Sequence, residues 1–104
     1  MAAQHTVIKS VKLFAEEILH TGLKLRKVIL FGSYSTYKHH KYSDIDVALV
    51  ADEFTGVGFL DIPKFVKILR NYITIHPITF STKYFKKGDP LVDEIKKTGI
   101  EITI

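Results

Sequence analysis

The chain has no cysteine among its 104 residues. Disulfide bonds, thiolate catalysis and cysteine-ligated zinc are therefore excluded, and the composition is compatible with a reducing compartment. No apolar run approaches the ~20 residues that a helix needs to cross a bilayer. The first residues also lack the charged and apolar regions of a secretory signal. We therefore expect a cytoplasmic protein with no membrane segment.

Internal repeats and low-complexity linkers are also absent from the sequence. A chain of this length has room for one domain, which buries roughly two-thirds of the surface that the unfolded chain exposes. We therefore expect one domain over residues 1–104. Hydrophobic residues make up 46% of the chain, which is high for so small a monomer and favours a homodimer or a partner protein.

Apolar spacing predicts helices that alternate with short strands. Val7, Val11 and Phe14 recur at helical spacing, and Gly22 is placed to end that helix. Short apolar runs predict strands at residues 27–31, 44–50, 73–80 and 100–104. The alternation predicts an α/β sandwich in which a sheet of about four strands carries helices on one side.

Two acids stand where helices are expected to begin. Asp61 lies just before Ile62-Pro63, and Asp89 lies directly before Pro90. A carboxylate at such a position accepts the free amides of the first turn, and proline suits that turn. We therefore predict that both acids cap helices.

The stretch with the most chemistry is Gly32-Ser33, followed after residues 34–43 by Asp44-Ile45-Asp46. In a strand, Asp44 and Asp46 share one face while Ile45 points to the other. Two carboxylates held side by side repel each other, and a divalent cation between them removes that conflict. Because Mg²⁺ prefers few carboxylates plus substrate phosphate oxygens, the pattern predicts a magnesium and nucleotide site.

The residues around Gly32 fit phosphate binding. Gly32 ends an apolar strand and lets the backbone approach a ligand closely. Ser33 offers a hydroxyl, and a helical turn beginning at Tyr34 would present free amides to an anion. Lys38 and Lys41 could add positive charge on flexible stems. Two interpretations of these lysines stay open, which are a phosphate role and a solvated loop.

The run FGSYSTYKHHKYSDIDVALV, residues 31–50, resembles the minimal nucleotidyltransferases of the DNA polymerase beta superfamily. Their signature is a glycine-serine turn followed by an Asp-x-Asp strand, and a looser resemblance covers most of this chain. The resemblance implies a single-domain nucleotidyltransferase-like fold with mixed strand directions. It also implies that Asp44 and Asp46 hold magnesium ions, and that Gly32 and Ser33 hold nucleotide phosphate.

The implied reaction transfers a nucleoside monophosphate from a nucleoside triphosphate, ATP in the first place, to a protein or RNA hydroxyl. In this family, minimal members often work beside a small helical HEPN-type protein as a toxin and antitoxin pair. A HEPN-type partner is therefore expected. Positive residues gather at three segments and would attract a nucleotide or RNA acceptor, although ordinary solubility explains them as well. These segments are Lys24 to Lys27, Lys38 to Lys41 and Lys83 to Lys87.

Two departures from the family pattern qualify these expectations. Relatives carry a third acid on a later strand, but residues 73–80 contain none, and only Tyr72 and His76 stand near that position. His76 could replace the acid as a metal ligand, although imidazole suits zinc or manganese better than magnesium. The alternative is a partly buried, hydrogen-bonded histidine.

The second departure is at Thr36-Tyr37, where relatives carry a basic residue followed by glycine. The two departures together motivate a second hypothesis, in which the chain is a degenerate transferase fold that binds a partner protein without turnover.

Overall fold

The computed structural model describes residues 4–35 and 44–104. The helices are α1 (Gln4–His20), α2 (Gly58–Asp61), α3 (Val66–Leu69), α4 (Thr82–Lys87) and α5 (Pro90–Thr98). The strands are β1 (Leu25–Phe31), β2 (Ile45–Ala51), β3 (Ile75–Ser81) and β4 (Ile100–Glu101). Two 3₁₀ turns complete the described elements, at Gly32–Tyr34 and Ile62–Lys64. No helix within the described ranges is long and apolar enough to cross a membrane.

The four strands form one mixed sheet in the order β3-β2-β1-β4. Strand β1 is antiparallel to β2 and to β4, whereas β2 and β3 are parallel. A parallel pair requires a crossover, and the segment that contains α2 and α3 provides it. The predicted α/β class and the four-stranded mixed sheet are confirmed.

Helices cover both faces of this sheet. The first face, with Val28 and Leu49, packs against α1 and α3, and the second face, with Ile29 and Val50, packs against α4 and α5. The prediction of helices on one side is therefore wrong in this respect. The central strands carry apolar side chains at consecutive positions, so both of their faces must be removed from water.

The first helix ends as the sequence predicts. The amide of Gly22 donates to the Leu19 carbonyl oxygen at 3.0 Å, and Gly22 takes a φ of 94°, which favours glycine. The predicted terminal strand is shorter than expected, because β4 contains two residues. The amide of Ile102 extends the pairing by donating to the Val28 carbonyl oxygen at 2.7 Å.

The two predicted helix caps have different outcomes. The Asp89 carboxylate accepts from the Val92 amide at 2.7 Å at the start of α5, which confirms that cap. Asp61 makes no cap bond. Its fully buried carboxylate instead accepts from the amides of Thr55 and Gly56, each at 2.9 Å, and from the Thr79 hydroxyl at 2.7 Å.

The cap predicted at Asp61 is therefore wrong, because donors on three residues, two of the preceding loop and one of β3, bond the carboxylate instead. Burial raises the pKa of Asp61, but the hydrogen bonds from Thr55, Thr79 and Gly56 outweigh it and hold that pKa below its usual range. The ionised side chain consequently ties the loop after β2 to β3.

Candidate active site

One row of side chains runs across β1, β2 and β3 on the second face of the sheet. Strand register places Asp46 beside Phe31 on β1 and beside His76 on β3. Paired residues of neighbouring strands project to the same side. Phe31, Asp46 and His76 therefore form what we call the acid row.

Asp46 and His76 lie in contact within this row. His76 Nδ1 is 3.4 Å from Asp46 Oδ1, with the Asp46 side chain 29% exposed and the His76 side chain 64% exposed. A carboxylate that is half-buried yet open on one side can meet a ligand from solvent. The sequence placed both residues on strands, and the parallel register of β2 and β3 brings them together.

Gly32 stands directly against the Asp46 carboxylate. Its φ is 75°, and a Cβ added there would lie 2.4 Å from Asp46 Oδ2. Two hydrogen bonds organise the turn that follows. The Ser35 hydroxyl donates to the Gly32 carbonyl oxygen at 2.9 Å, and Gln4 Nε2 of α1 donates to the Tyr34 carbonyl oxygen at 2.5 Å. Only glycine fits this position without displacing the acid.

The other predicted site residues differ in how far the structure places them. Asp44 is exposed and lies immediately before β2, while Ser33 is half-buried in the 3₁₀ turn. That turn begins at Gly32, two residues earlier than the helical turn predicted at Tyr34. Lys38 and Lys41, like Thr36-Tyr37, lie outside the described residues.

Tyr72 does not belong to the acid row. Its ring packs on Phe14 of α1, with ring centroids 5.2 Å apart, on the first face of the sheet. Its hydroxyl donates to Glu17, and this hydrogen bond, with burial, raises the pKa of Tyr72 to about 12. Of the two residues predicted near the position of a third acid, only His76 reaches Asp46.

The donor set fits a metal that arrives with its nucleotide. Within residues 4–35 and 44–104, no three histidine or acidic side chains are gathered as a preformed metal site. Asp44 and Asp46 offer two carboxylates, and Mg²⁺ commonly combines one or two carboxylates with waters and phosphate oxygens. The predicted ligands among the described residues are Asp44, Asp46 and His76, and of these the structure brings Asp46 and His76 into contact.

Phe31 lies beside Asp46 although the sequence pattern marks it only as part of an apolar strand. It is half-buried and lies in register with Asp46. Ile78 lies on the same face two residues beyond His76 and is also half-buried. Phe31 and Ile78 thus place apolar surface next to Asp46 and His76. Strand alternation from Asp46 would identify this surface once the register is known.

Comparison with known proteins gives a consistent result. The family model described as polymerase beta, nucleotidyltransferase matches residues 12–103. A Methanocaldococcus jannaschii protein named "Putative protein adenylyltransferase MJ0141" is 32% identical over 100 residues, covering 92% of this chain and 98% of that protein.

Solved structures agree on the fold. A Sulfolobus solfataricus crystal structure described as "a putative nucleotidyltransferase" superposes with a TM-score of 0.70 at 21% identity, covering 95% of this chain and 81% of that one. A toxin-antitoxin structure with AMP-PNP superposes with a TM-score of 0.58 at 18% identity, covering 86% and 70%. A variant of the toxin-antitoxin MntA-HpeT gives 0.55 at 18% identity, covering 86% and 69%.

The superpositions show the fold, while the family match spans nearly all of the chain and includes the glycine turn and both acids. The chain belongs to the polymerase beta nucleotidyltransferase family.

Proposed function

We propose that the protein transfers a nucleoside monophosphate from a nucleoside triphosphate, ATP in the first place, to a hydroxyl of a protein or an RNA. The observation that carries this proposal is the position of Asp46, which is half-buried against the Gly32 turn and in contact with His76. Because Gly32 has no side chain, the Asp46 carboxylate lies directly against the turn that we propose binds phosphate. Three of the expected site residues, Gly32, Asp46 and His76, are thus neighbours.

Each residue has a distinct role in this scheme. Asp44 and Asp46 hold magnesium, and the turn at Gly32 and Ser33 binds the triphosphate, with Lys38 and Lys41 as further phosphate ligands. When bound, the metal supplies positive charge that offsets the charge developing on the transferred phosphoryl group. The chain itself fixes the positions of the reacting groups, which is the larger part of catalysis in phosphoryl transfer.

His76 takes the place of the third acid as a metal ligand. The register beside Asp46 and the 3.4 Å contact support this role. Imidazole prefers manganese to magnesium more strongly than a carboxylate does. The ratio of Mn²⁺ affinity to Mg²⁺ affinity should therefore be higher in wild type than in His76→Glu. Manganese binding followed by electron paramagnetic resonance, with magnesium as competitor, reports this without any turnover. An unchanged ratio in His76→Glu would remove His76 from the ligand set.

The nucleotide and the acceptor are proposed from relatives. The archaeal relative is named for protein adenylylation, which favours ATP as donor and a protein hydroxyl as acceptor. Two structures that share the fold are described as toxin-antitoxin structures, which favours a partner protein. That this partner or acceptor is of the HEPN type is proposed from the family resemblance. An RNA acceptor is the other arm of the same test.

The test compares ATP labelled at the α phosphate with ATP labelled at the γ phosphate, in the presence of a candidate HEPN-type protein or of total RNA. Transfer of adenylate predicts label on the acceptor from α-labelled ATP alone, with pyrophosphate released. Asp46→Asn should abolish labelling, while Asp93→Asn, an exposed acid on α5, should not. Labelling from the γ position would show phosphorylation instead and refute the proposal.

The second candidate function is partner binding without turnover, and an exposed apolar segment favours it. Phe59 is 80% exposed, and Val57 and Leu60 beside it are 39% and 50% exposed. The buried Asp61 carboxylate fixes the loop that leads into this segment. Contiguous exposed apolar side chains are typical of protein contact sites.

Co-purification with the HEPN-type protein tests this candidate. Phe59→Ser should release the partner, whereas Leu13→Ser on α1, also exposed, should retain it. Transfer that depends on Asp46 would exclude an inactive module. If the same segment forms a homodimer, sedimentation should show that Phe59→Ser is monomeric. The cytoplasmic location stays a prediction.

A further inference from the structure

A second depression lies on the second face of the sheet, at the opposite end from the acid row. It is a cavity of about 440 Å³ between β1, α4 and α5. Its floor consists of side chains that are almost fully buried, namely Ile29, Val50, Phe85 and Ile95. The volume falls in the range of small-molecule pockets, which bind the apolar body of a ligand on such a floor.

The rim of this cavity, which we call the basic pocket, is strongly positive. Four cations line it against a single acid; the cations are Arg26, Lys27, Lys86 and Lys96, and the acid is Glu101. The sequence carries these cations in separate segments, and the fold brings them together. Such a rim favours an anionic ligand.

Two of the four cations have no acidic partner within residues 4–35 and 44–104. Arg26 pairs with Asp52 at 2.7 Å and Lys27 with Glu101 at 3.4 Å, both pairs being well exposed. Lys86 and Lys96 form no ion pair with any carboxylate of the described residues. Exposed ion pairs are weak, so the paired cations remain available to a ligand as well.

Lys96 is held above the pocket by an aromatic ring. Its Nζ lies 5.1 Å from the centroid of the Phe85 ring. This cation–π contact places the charge over the apolar floor instead of leaving it in bulk solvent. A ligand with an anionic group and a flat ring would contact the Lys96 ammonium and the apolar floor at the same time.

A buried hydroxyl adds a polar group to the lining. Arg26 holds the pKa of Asp52 below its usual range, and the nearby Thr82 hydroxyl contributes to this. The Thr82 geometry nevertheless falls short of a hydrogen bond, so Thr82 Oγ1 is buried without a hydrogen-bond partner among the described residues. A buried polar atom without a partner costs free energy, and a ligand oxygen could supply that partner.

The basic pocket is separate from the site of transfer. Val50 of its floor follows Asp46 by four residues along β2, which is about 13 Å at the rise of a strand. The Asp46 carboxylate and the Val50 part of the pocket floor are therefore too far apart for one phosphate to contact both. A polymer would need an extended groove, whereas this cavity suits one small molecule.

We propose that the basic pocket binds a small phosphomonoester carried on a flat ring body, of the class of a nucleoside monophosphate. The dianionic phosphate contacts Lys86 and Lys96 at the rim, and the ring lies on Ile29 and Val50. Binding needs neither a metal nor Asp44 and Asp46, which we call the acid pair. The inference is therefore independent of the proposed transfer reaction.

The test is a titration of the ¹⁵N-labelled chain followed by NMR, with EDTA present and with Asp44→Asn/Asp46→Asn, so that the acid row cannot hold a metal-nucleotide complex. AMP should shift the amides of Lys86, Lys96 and Gly99. Adenosine, which lacks the anion, and inorganic phosphate, which lacks the ring, should each bind at least about fivefold more weakly than AMP.

Matched variants localise the site. Lys86→Ala/Lys96→Ala should weaken AMP binding at least about tenfold, because two charge-assisted contacts are lost. Lys87→Ala/Lys97→Ala changes neighbouring charges that do not line the pocket, and should leave affinity within about twofold. Thr82→Val should also weaken binding while the chain stays folded.

Several results would overturn the proposal. These are an absence of shifts at the pocket with every probe, equal losses in the two double-lysine variants, and adenosine binding as tightly as AMP. A short oligonucleotide that binds these lysines far more tightly than AMP would show an RNA surface instead. None of these results bears on transfer at Asp46, because the titrated chain lacks the acid pair.

Discussion

Replacing Gly32 with alanine separates backbone strain from displacement of Asp46, the proposed metal ligand. At a φ of 75° an L-residue costs about 1–2 kcal/mol. The new Cβ would also lie 2.4 Å from Asp46 Oδ2, so the carboxylate must retreat by about 1 Å to reach ordinary contact. A displacement of that size at a reacting group can lower activity by ~100-fold.

We therefore expect Gly32→Ala to remain folded, with Tm lowered by about 4–8 °C for each kcal/mol lost. Affinity for Mg·ATP and transfer should fall by about 100-fold. Thermal unfolding and isothermal calorimetry measure the two effects on the same sample.

Gly22→Ala is the matched control. Gly22 has a φ of 94° with nothing within 4 Å of its added Cβ, and it lies at the end of α1. This variant should lose a similar amount of stability through backbone strain alone, yet keep nucleotide affinity. If both variants bind Mg·ATP equally well, the contact between Gly32 and Asp46 has no functional meaning and the reasoning fails.

Two further predictions concern stability. Asp61→Asn should destabilise the fold by about 2–3 kcal/mol at pH 7, since a carboxylate that accepts from three residues is replaced; urea unfolding measures it, and Asp93→Asn is the control. Because the folded pKa of Asp61 is lowered, its contribution is complete above the unfolded value near 3.8 and is lost as pH falls through the folded pKa. The difference between wild type and Asp61→Asn should therefore shrink below pH 4, and a constant difference would contradict this. Asp89→Ala should lower Tm by several degrees by removing the α5 cap, whereas Asp89→Ser should recover most of the loss, and equal Tm values for the two variants would argue against capping.

The acid pair and the glycine turn could be predicted from the sequence because both are local patterns. The contact between Gly32 and Asp46 could not, since it depends on the antiparallel register that pairs Phe31 with Asp46. The same holds for His76, whose strand was predicted but whose neighbour is set by the parallel register. Register is a property of pairing, and a shift of one residue would turn each side chain to the other face.

Asp61 and Asp89 show the limit of local sequence patterns. Both precede proline in the manner of a helix cap, and only Asp89 caps. The Asp61 carboxylate instead accepts hydrogen bonds from Thr55 and from Thr79, which is distant in sequence. The sequence before a helix cannot reveal such tertiary competitors.

The helices on the second face show a different kind of miss. Consecutive apolar residues in β1 and β2, such as Ala48-Leu49-Val50, signal strands buried on both sides. These consecutive apolar residues already predict helices on both faces of the sheet, in contrast to the expectation of one covered face.

The central claim is that Asp44 and Asp46 hold a metal-nucleotide complex at the Gly32 turn. Calorimetric titration of a non-hydrolysable ATP analogue, with and without Mg²⁺, into wild type and into Asp44→Asn/Asp46→Asn tests it most directly. We expect binding to wild type that requires Mg²⁺, and loss of this Mg²⁺-dependent binding in the double variant. Equal Mg²⁺-dependent binding in both chains, or none in wild type, would contradict it.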